Sequence, residues 1–247
     1  MTERREDYRE ILRLVRPGAR VLDVGCGEGA LLEMLTRDKG VDGRGLEISQ
    51  ANVSAALARG LAVVQGDADR DLADYPARAF DYAILSQTLQ TVRDPRAVLN
   101  ELMRIAERAI VSFPNFGHWA VRWALLTRGR MPTTRSLPTP WWATPNIHLC
   151  TLRDFTDLCR DLDLRIDACA ALSGGKPARP MDPDGPLENW RAETALFLLS
   201  RRAAGAPDAV PQNLFGEVEL PKEEDPADAP KPKRKRKARA ESQGGLL

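Results

Sequence analysis

The sequence predicts an α/β fold: a mostly parallel seven-stranded sheet with helices on both faces and an insert after strand five. Three observations carry this reading. Short apolar runs alternate with runs of helical period up to about Phe113, the order that crossovers between parallel strands require. The first apolar run, Arg20 to Val24, enters a glycine-rich turn, Gly25-Cys26-Gly27-Glu28-Gly29. Carboxylates then stand near the ends of three successive strands, at Asp23, Glu47 and Asp67.

Taken in order, Ile11, Leu12, Leu14 and Val15 give a first helix over Tyr8 to Val15, stopped by Pro17-Gly18. The strand and glycine turn follow, then a helix over Ala30 to Arg37. Gly43 to Ile48 is a second strand, and Ser49 is placed to cap a helix running through Ala58. Leu61 to Gln65 is the third strand, ending in Gly66-Asp67. Phe80 to Ser86 is the fourth. Asp94-Pro95 opens a helix whose Val98, Leu99, Leu102 and Ile105 share a face. Arg108 to Phe113 is the fifth strand. After an irregular stretch, a helix over Leu152 to Asp161 and strands over Leu164 to Leu172 and Thr194 to Ser200 complete the domain. A Gly/Pro-rich loop from Gly174 to Pro186 separates the last two strands. The expected organisation is a domain over 1–202, its insert at 114–150, and a disordered charged tail over 203–247.

Composition narrows the function classes. No apolar run approaches the roughly twenty residues that a membrane span needs, and Met1 to Arg16 lacks a signal-peptide core. The four cysteines form no zinc-ligand spacing and read as free thiols in a reducing cytoplasm. The formal charge of +1 averages an even body with a basic tail run, Lys231 to Arg239. That run reads as solvated and not as a nucleic-acid contact, because the segment before it is acidic and no aromatics interleave.

The glycine turn alone is shared with dinucleotide binders, and so is Glu47, a carboxylate placed to accept both hydroxyls of a ribose. Asp67, closing the third strand, can accept from the exocyclic amine of an adenine. The GxGxG spacing and the three strand-end acids together resemble a class I methyltransferase domain. That resemblance implies S-adenosyl-L-methionine as cofactor, held by Asp23, Gly25, Cys26, Gly27, Gly29, Glu47, Ile48, Asp67, Ala68 and Ser86. A nicotinamide cofactor would need the third glycine one residue later and a second domain with a proton-transfer residue. No residue reads as catalytic: the (Asn/Asp/Ser)-Pro-Pro-aromatic run of amino-group methylation is replaced by Ser86-Gln87-Thr88-Leu89-Gln90.

Four further blocks are longer and rarer: Leu85 to Gln90, Ser112 to Trp119, Gly129 to Pro132, and Thr144 to Thr151. With the glycine turn they resemble the methionine-biosynthesis MetW family over about residues 8–200. The resemblance implies a partner, homoserine O-acyltransferase, and a place in methionine synthesis. The chain is not expected to be that acyltransferase, because it lacks a GxSxG elbow. The other reading is a stand-alone methyltransferase acting on a small molecule.

The insert holds four of the five tryptophans and both histidines. A helix over Phe116 to Arg128 puts Trp119, Trp123 and Leu126 on one face. These aromatics are expected to pack the insert onto the sheet, the other role being a lid or a docking surface. His118 and His148 are expected to be buried, hydrogen-bonded core residues, a base at a pocket mouth being the other reading. Neither has the companions that a metal site needs.

Overall fold

The computed structural model describes residues 6–174 and 176–202; the charged tail expected over 203–247 lies outside the described residues. Helix α1 (Glu6–Leu14) leads to strand β1 (Arg20–Val24), whose last four residues are buried. Helix α2 (Ala30–Lys39), strand β2 (Asp42–Glu47), helix α3 (Gln50–Ala58) and strand β3 (Val63–Gln65) follow. A single helical turn, α4 (Ala68–Asp71), runs into a 3-10 turn, Leu72–Asp74, before strand β4 (Phe80–Ser86). Helix α5 (Pro95–Ile105) and strand β5 (Ala106–Pro114) complete the first half. Then come α6 (Trp119–Arg128), α7 (Leu152–Asp161), β6 (Leu164–Leu172), β7 (Arg179–Pro180), α8 (Glu188–Arg191) and β8 (Thr194–Arg201).

The sheet runs β3-β2-β1-β4-β5-β8-β6-β7. Pairings among the first five strands are parallel, and β8 runs antiparallel between β5 and β6. The sheet therefore has eight strands and not the expected seven. The extra one is a two-residue edge strand that the Gly/Pro-rich loop lays against Ala170 and Ala171. Pro180 has no N–H to donate, which suits an edge and keeps the strand short.

The caps are where local chemistry places them. Ser49 accepts from Asn52 at the start of α3, Asp94 accepts from Ala97 ahead of Pro95, and Thr151 with Asp154 forms a reciprocal capping box on α7. Gly29 caps α2 with φ at 80°, and an added Cβ would lie 2.4 Å from Leu61 Cδ1. That glycine serves packing between α2 and the end of α3 as much as it serves the turn.

The core is aliphatic on both faces of the sheet. Its densest aromatic contact joins Phe113, Phe155 and Phe197, with ring centroids 4.7 to 5.9 Å apart. At the carboxyl end of β5, buried Asn115 ties the insert shut. Its Nδ2 donates to the carbonyls of Asn189 and Ala192, and its Oδ1 accepts from Gly117 and Leu152. Both ends of the insert and α8 thus meet on one side chain.

Candidate functional site: a cleft at the sheet reversal

Strand order reverses between β1 and β4, the place where open α/β sheets bind ligands beyond their strand ends. A cleft of about 450 Å³ lies there. One wall is Gly25, Glu47 and Ile48 from the ends of β1 and β2; another is Gly66 to Asp69 after β3. The third wall, Gln87 to Arg93 in part, follows β4, and Pro145 of the insert reaches it as well. The two central strand ends approach so closely that a Cβ on Gly25, at φ 73°, would lie 2.6 Å from Thr88. Only glycine gives both that backbone angle and that approach.

Of the ten residues expected to hold a cofactor, Gly25, Glu47, Ile48, Asp67 and Ala68 line this cleft. Asp23, Cys26, Gly27, Gly29 and Ser86 do not line it; Asp23 is buried near the end of β1, and the others make contacts of their own. Gly27 donates its N–H to Glu47 Oε2 at 2.8 Å, with φ at 56° and open space where a Cβ would be. Cys26 is buried, and burial, followed by the charges of Asp23 and Glu47, pushes its thiol up to about 12. It stays protonated and unreactive at neutral pH. Ser86 lies under the floor, where it and Ser112 both donate to buried Asp7 on α1, at 2.6 and 2.7 Å. Ser112 Oγ in turn accepts from the Gln87 N–H at 3.1 Å. The same Gln87 N–H donates to the Ser112 carbonyl at 2.8 Å, and Gln87 stands at the cleft wall in a left-handed conformation, φ 50°.

Glu47 is buried and already engaged. It accepts from Gly27 and Ser49 backbone N–H groups and, at 3.3 Å, from Asn52 Nδ2. A carboxylate offers about four acceptor sites, so one remains, and the long Asn52 bond is the one a ligand hydroxyl can displace. Asp67 uses Oδ1 to cap α4 by accepting from Asp69 N–H. Asp69 accepts from the N–H groups of Arg93 and Asp94, which clamps the loop after β4 onto the cleft. With Glu47, Asp67 and Asp69 against Arg93, the wall is acidic. That balance favours a cationic ligand over a pyrophosphate.

Sequence reading missed Gln87, Thr88, Thr91, Arg93 and Pro145 as wall residues. They sit in irregular backbone, where no period marks orientation; the rare blocks Leu85 to Gln90 and Thr144 to Thr151 were the signal available.

A second cavity, about 310 Å³, adjoins the first and shares Gln87, Thr91 and Pro145 with it. Its roof is the insert, stitched down where Ile147 and His148 N–H groups both donate to the Gln90 carbonyl. The histidines are not core residues as expected. His148 is exposed, with Nε2 3.2 Å from the Arg93 carbonyl. His118 is half-buried at the start of α6, beside Trp119, and burial lowers its pKa.

The aromatics also depart from expectation. They do not pack the insert onto the sheet: Trp119, Trp123, Trp141, Trp142 and Trp190, every tryptophan of the chain, are 46 to 72% exposed. Val121 is the buried residue of α6. The helix turns its small aliphatic inward because Asn115 and Arg122, whose Nε donates to the Gly117 carbonyl, hold its start close to the body.

Architecture and cleft together define a Rossmann-like methyltransferase fold. Solved structures agree: a Thermotoga maritima protein, described as a SAM-dependent methyltransferase and possible histamine N-methyltransferase, superposes with a TM-score of 0.58 at 18% identity, covering 80% of this chain and 88% of that one. The chain belongs to the methionine biosynthesis protein MetW family, whose model matches residues 5–199. A bifunctional methionine biosynthesis protein MetXA/MetW of Rhodopirellula baltica is 33% identical over 204 residues, 79% of this chain. The chain spans 32% of that relative's length. A ubiquinone biosynthesis O-methyltransferase of Hahella chejuensis is 37% identical over 100 residues, 38% of this chain and 42% of that one. Among the described residues no helix is long and apolar enough to cross a membrane.

Proposed function

We propose that this chain binds S-adenosyl-L-methionine in the strand-end cleft and acts with homoserine O-acyltransferase in methionine synthesis. The observation that carries the cofactor half is the acidic cleft at the sheet reversal, with Glu47 pinned by two backbone N–H groups and one acceptor site to spare. Glu47 takes a ribose hydroxyl, Asp67 the adenine amine, and the acidic wall suits a ligand bearing a sulfonium and an ammonium. Gly25, Ile48 and Ala68 supply the close backbone and apolar contacts. Gly27, Gly29, Asp23, Cys26 and Ser86 shape the turn and floor from behind. When bound, the cofactor supplies an electrophilic methyl group. A cytoplasmic location fits the four free cysteines.

The partner half is supported by the Rhodopirellula relative, which carries MetXA and MetW in one chain. It is supported as well by the exposed tryptophans, a residue type enriched among the anchors of protein interfaces. Between 115 and 150 the sequence has four arginines and no acidic residue, so the face suits an acidic rim on the acyltransferase. The test is to titrate the chain into the homoserine O-acyltransferase of the same organism and measure complex formation and acyl-transfer rate. Association with a changed rate, lost in Trp123→Ala, is the expected result. No association and no change of rate would remove the partner.

The second reading, a stand-alone methyltransferase acting on a small molecule, draws on the cavity that adjoins the cleft. Release of S-adenosylhomocysteine on incubation with small-molecule extract would favour it.

A further inference from the structure

We infer that the acyltransferase docks on the face shared by α6 and α8, through an apolar segment flanked by acidic residues; this rests on the partnership proposed above. Trp119 and Trp123 of α6 are 46 and 62% exposed, and Leu187 and Trp190 at α8 are 51 and 49% exposed. The rings of Trp119 and Trp190 stand 6.3 Å apart, so the two helices share one aromatic surface. Its two halves come from distant parts of the chain, and Asn115 joins them. That buried side chain donates to the carbonyls of Asn189 and Ala192, within and just after α8, and accepts from the Gly117 N–H ahead of α6. A surface fixed before binding loses little ordering entropy on docking.

Charge sets the partner's chemistry. Two open depressions flank the aromatic surface. One, about 470 Å³, lies between α6 and residues 130–134, with Arg128 and Arg130 in its wall. The other, about 360 Å³, sets Arg122 and Arg153 beside Leu187 and Trp190. No carboxylate lines either depression, and among the described residues none of the four arginines enters a salt bridge. Glu188, the acid of α8, is engaged by Arg179 at 2.9 Å. Tryptophan beside arginine is the composition of interface anchors, and guanidinium groups without an internal counter-charge select an acidic partner surface. A second copy of this chain fits poorly, because a two-fold interface on this face would set arginine against arginine. Trp141 and Trp142 are more exposed, at 68 and 72%, but lie outside any helix, and the cavity that Trp141 lines holds no charged residue. They are left out of the docking face.

Calorimetry of the full chain with the purified acyltransferase of the same organism, at low and high salt, tests the face. Trp123→Ala and Trp190→Ala should each weaken binding about tenfold or more, and Trp142→Ala should stay within about twofold of wild type. Arg130→Glu should weaken binding more than Arg130→Ala, and added salt should weaken wild type more than Arg130→Glu. Circular dichroism checks that each variant folds; should Trp190→Ala fail, Trp123 and Arg130 still decide. Wild-type binding that Trp123→Ala and Arg130→Glu leave intact would overturn the face while the partnership stands. Tighter binding by Arg130→Glu would overturn the acidic segment. Self-association of the chain alone, lost in Trp123→Ala, would give the face to a second copy. No binding by wild type would remove the partnership, and the docking face with it.

Discussion

The segment from Gly25 to Asp71 and the insert from Asn115 to Cys150 both reach the carboxyl ends of the sheet, yet they are built on opposite terms. In the first, apolar side chains such as Leu31, Leu32 and Val53 are buried, and carboxylates of Glu47 and Asp67 are tied to backbone N–H groups. In the second, four tryptophans stand in solvent, and the charges are all arginine. The first has the order of a site made for one ligand shape. The second has a rigid anchorage, at Asn115 and Gln90, carrying a surface that its own fold leaves uncovered. The difference separates what holds the chain together from what the chain presents to others.

The largest effect that would break this contrast is on stability. Phe155→Ala removes a ring from the Phe113–Phe197 contact and should cost about 3–5 kcal/mol, whereas Trp123→Ala should stay within about 0.5 kcal/mol of wild type. Urea unfolding of both proteins checks the pair. A Trp123 variant as unstable as the Phe155 variant would mean that the insert's aromatics are core after all.

Next in size is the anchorage. Asn115→Ala leaves the buried Gly117 N–H without its acceptor, whereas the Leu152 N–H keeps Asn189 Oδ1 at 3.1 Å, and a buried unsatisfied group costs about 1–3 kcal/mol. Hydrogen exchange should then rise at Gly117 before it rises in β4 or β5. Uniform protection would show that the insert is held by other contacts.

A smaller effect is expected from His118. Burial lowers its pKa from the ordinary 6.5. Below that value the unfolded chain takes a proton that the folded chain resists, so stability should fall as pH drops through about 6.5. The nearby charge of Glu193 works against the shift. Thermal melts of His118→Gln should show a flatter slope than wild type between neutral pH and about pH 5.5. Parallel slopes would contradict the assignment.

How far the sequence can be read follows the same division. Strands β1, β4 and β6 and helix α7 have the residue limits that apolar period and caps predict, because buried strands and capped helices are set by local residues. The two-residue β7 and the single turns α4 and α8 left no period to read. At the cleft, Gly25, Glu47 and Asp67 were legible because chemistry at a strand end has few alternatives. Ser86 was read as a cofactor contact; its hydroxyl donates to Asp7 of α1, a partner 79 residues away in sequence that no local pattern could show. The tryptophans were misassigned to the core for a related reason. Helical spacing shows that Trp119, Trp123 and Leu126 share a face, but the Asn115 anchorage decides which way that face turns.

The central claim is that the strand-end cleft holds S-adenosylmethionine through Glu47, and calorimetry with S-adenosylhomocysteine tests it most directly. Wild type should bind one equivalent, and a folded Glu47→Ala protein should bind it more weakly by about 1–3 kcal/mol. No heat with wild type, or an affinity unchanged by Glu47→Ala, would contradict the account.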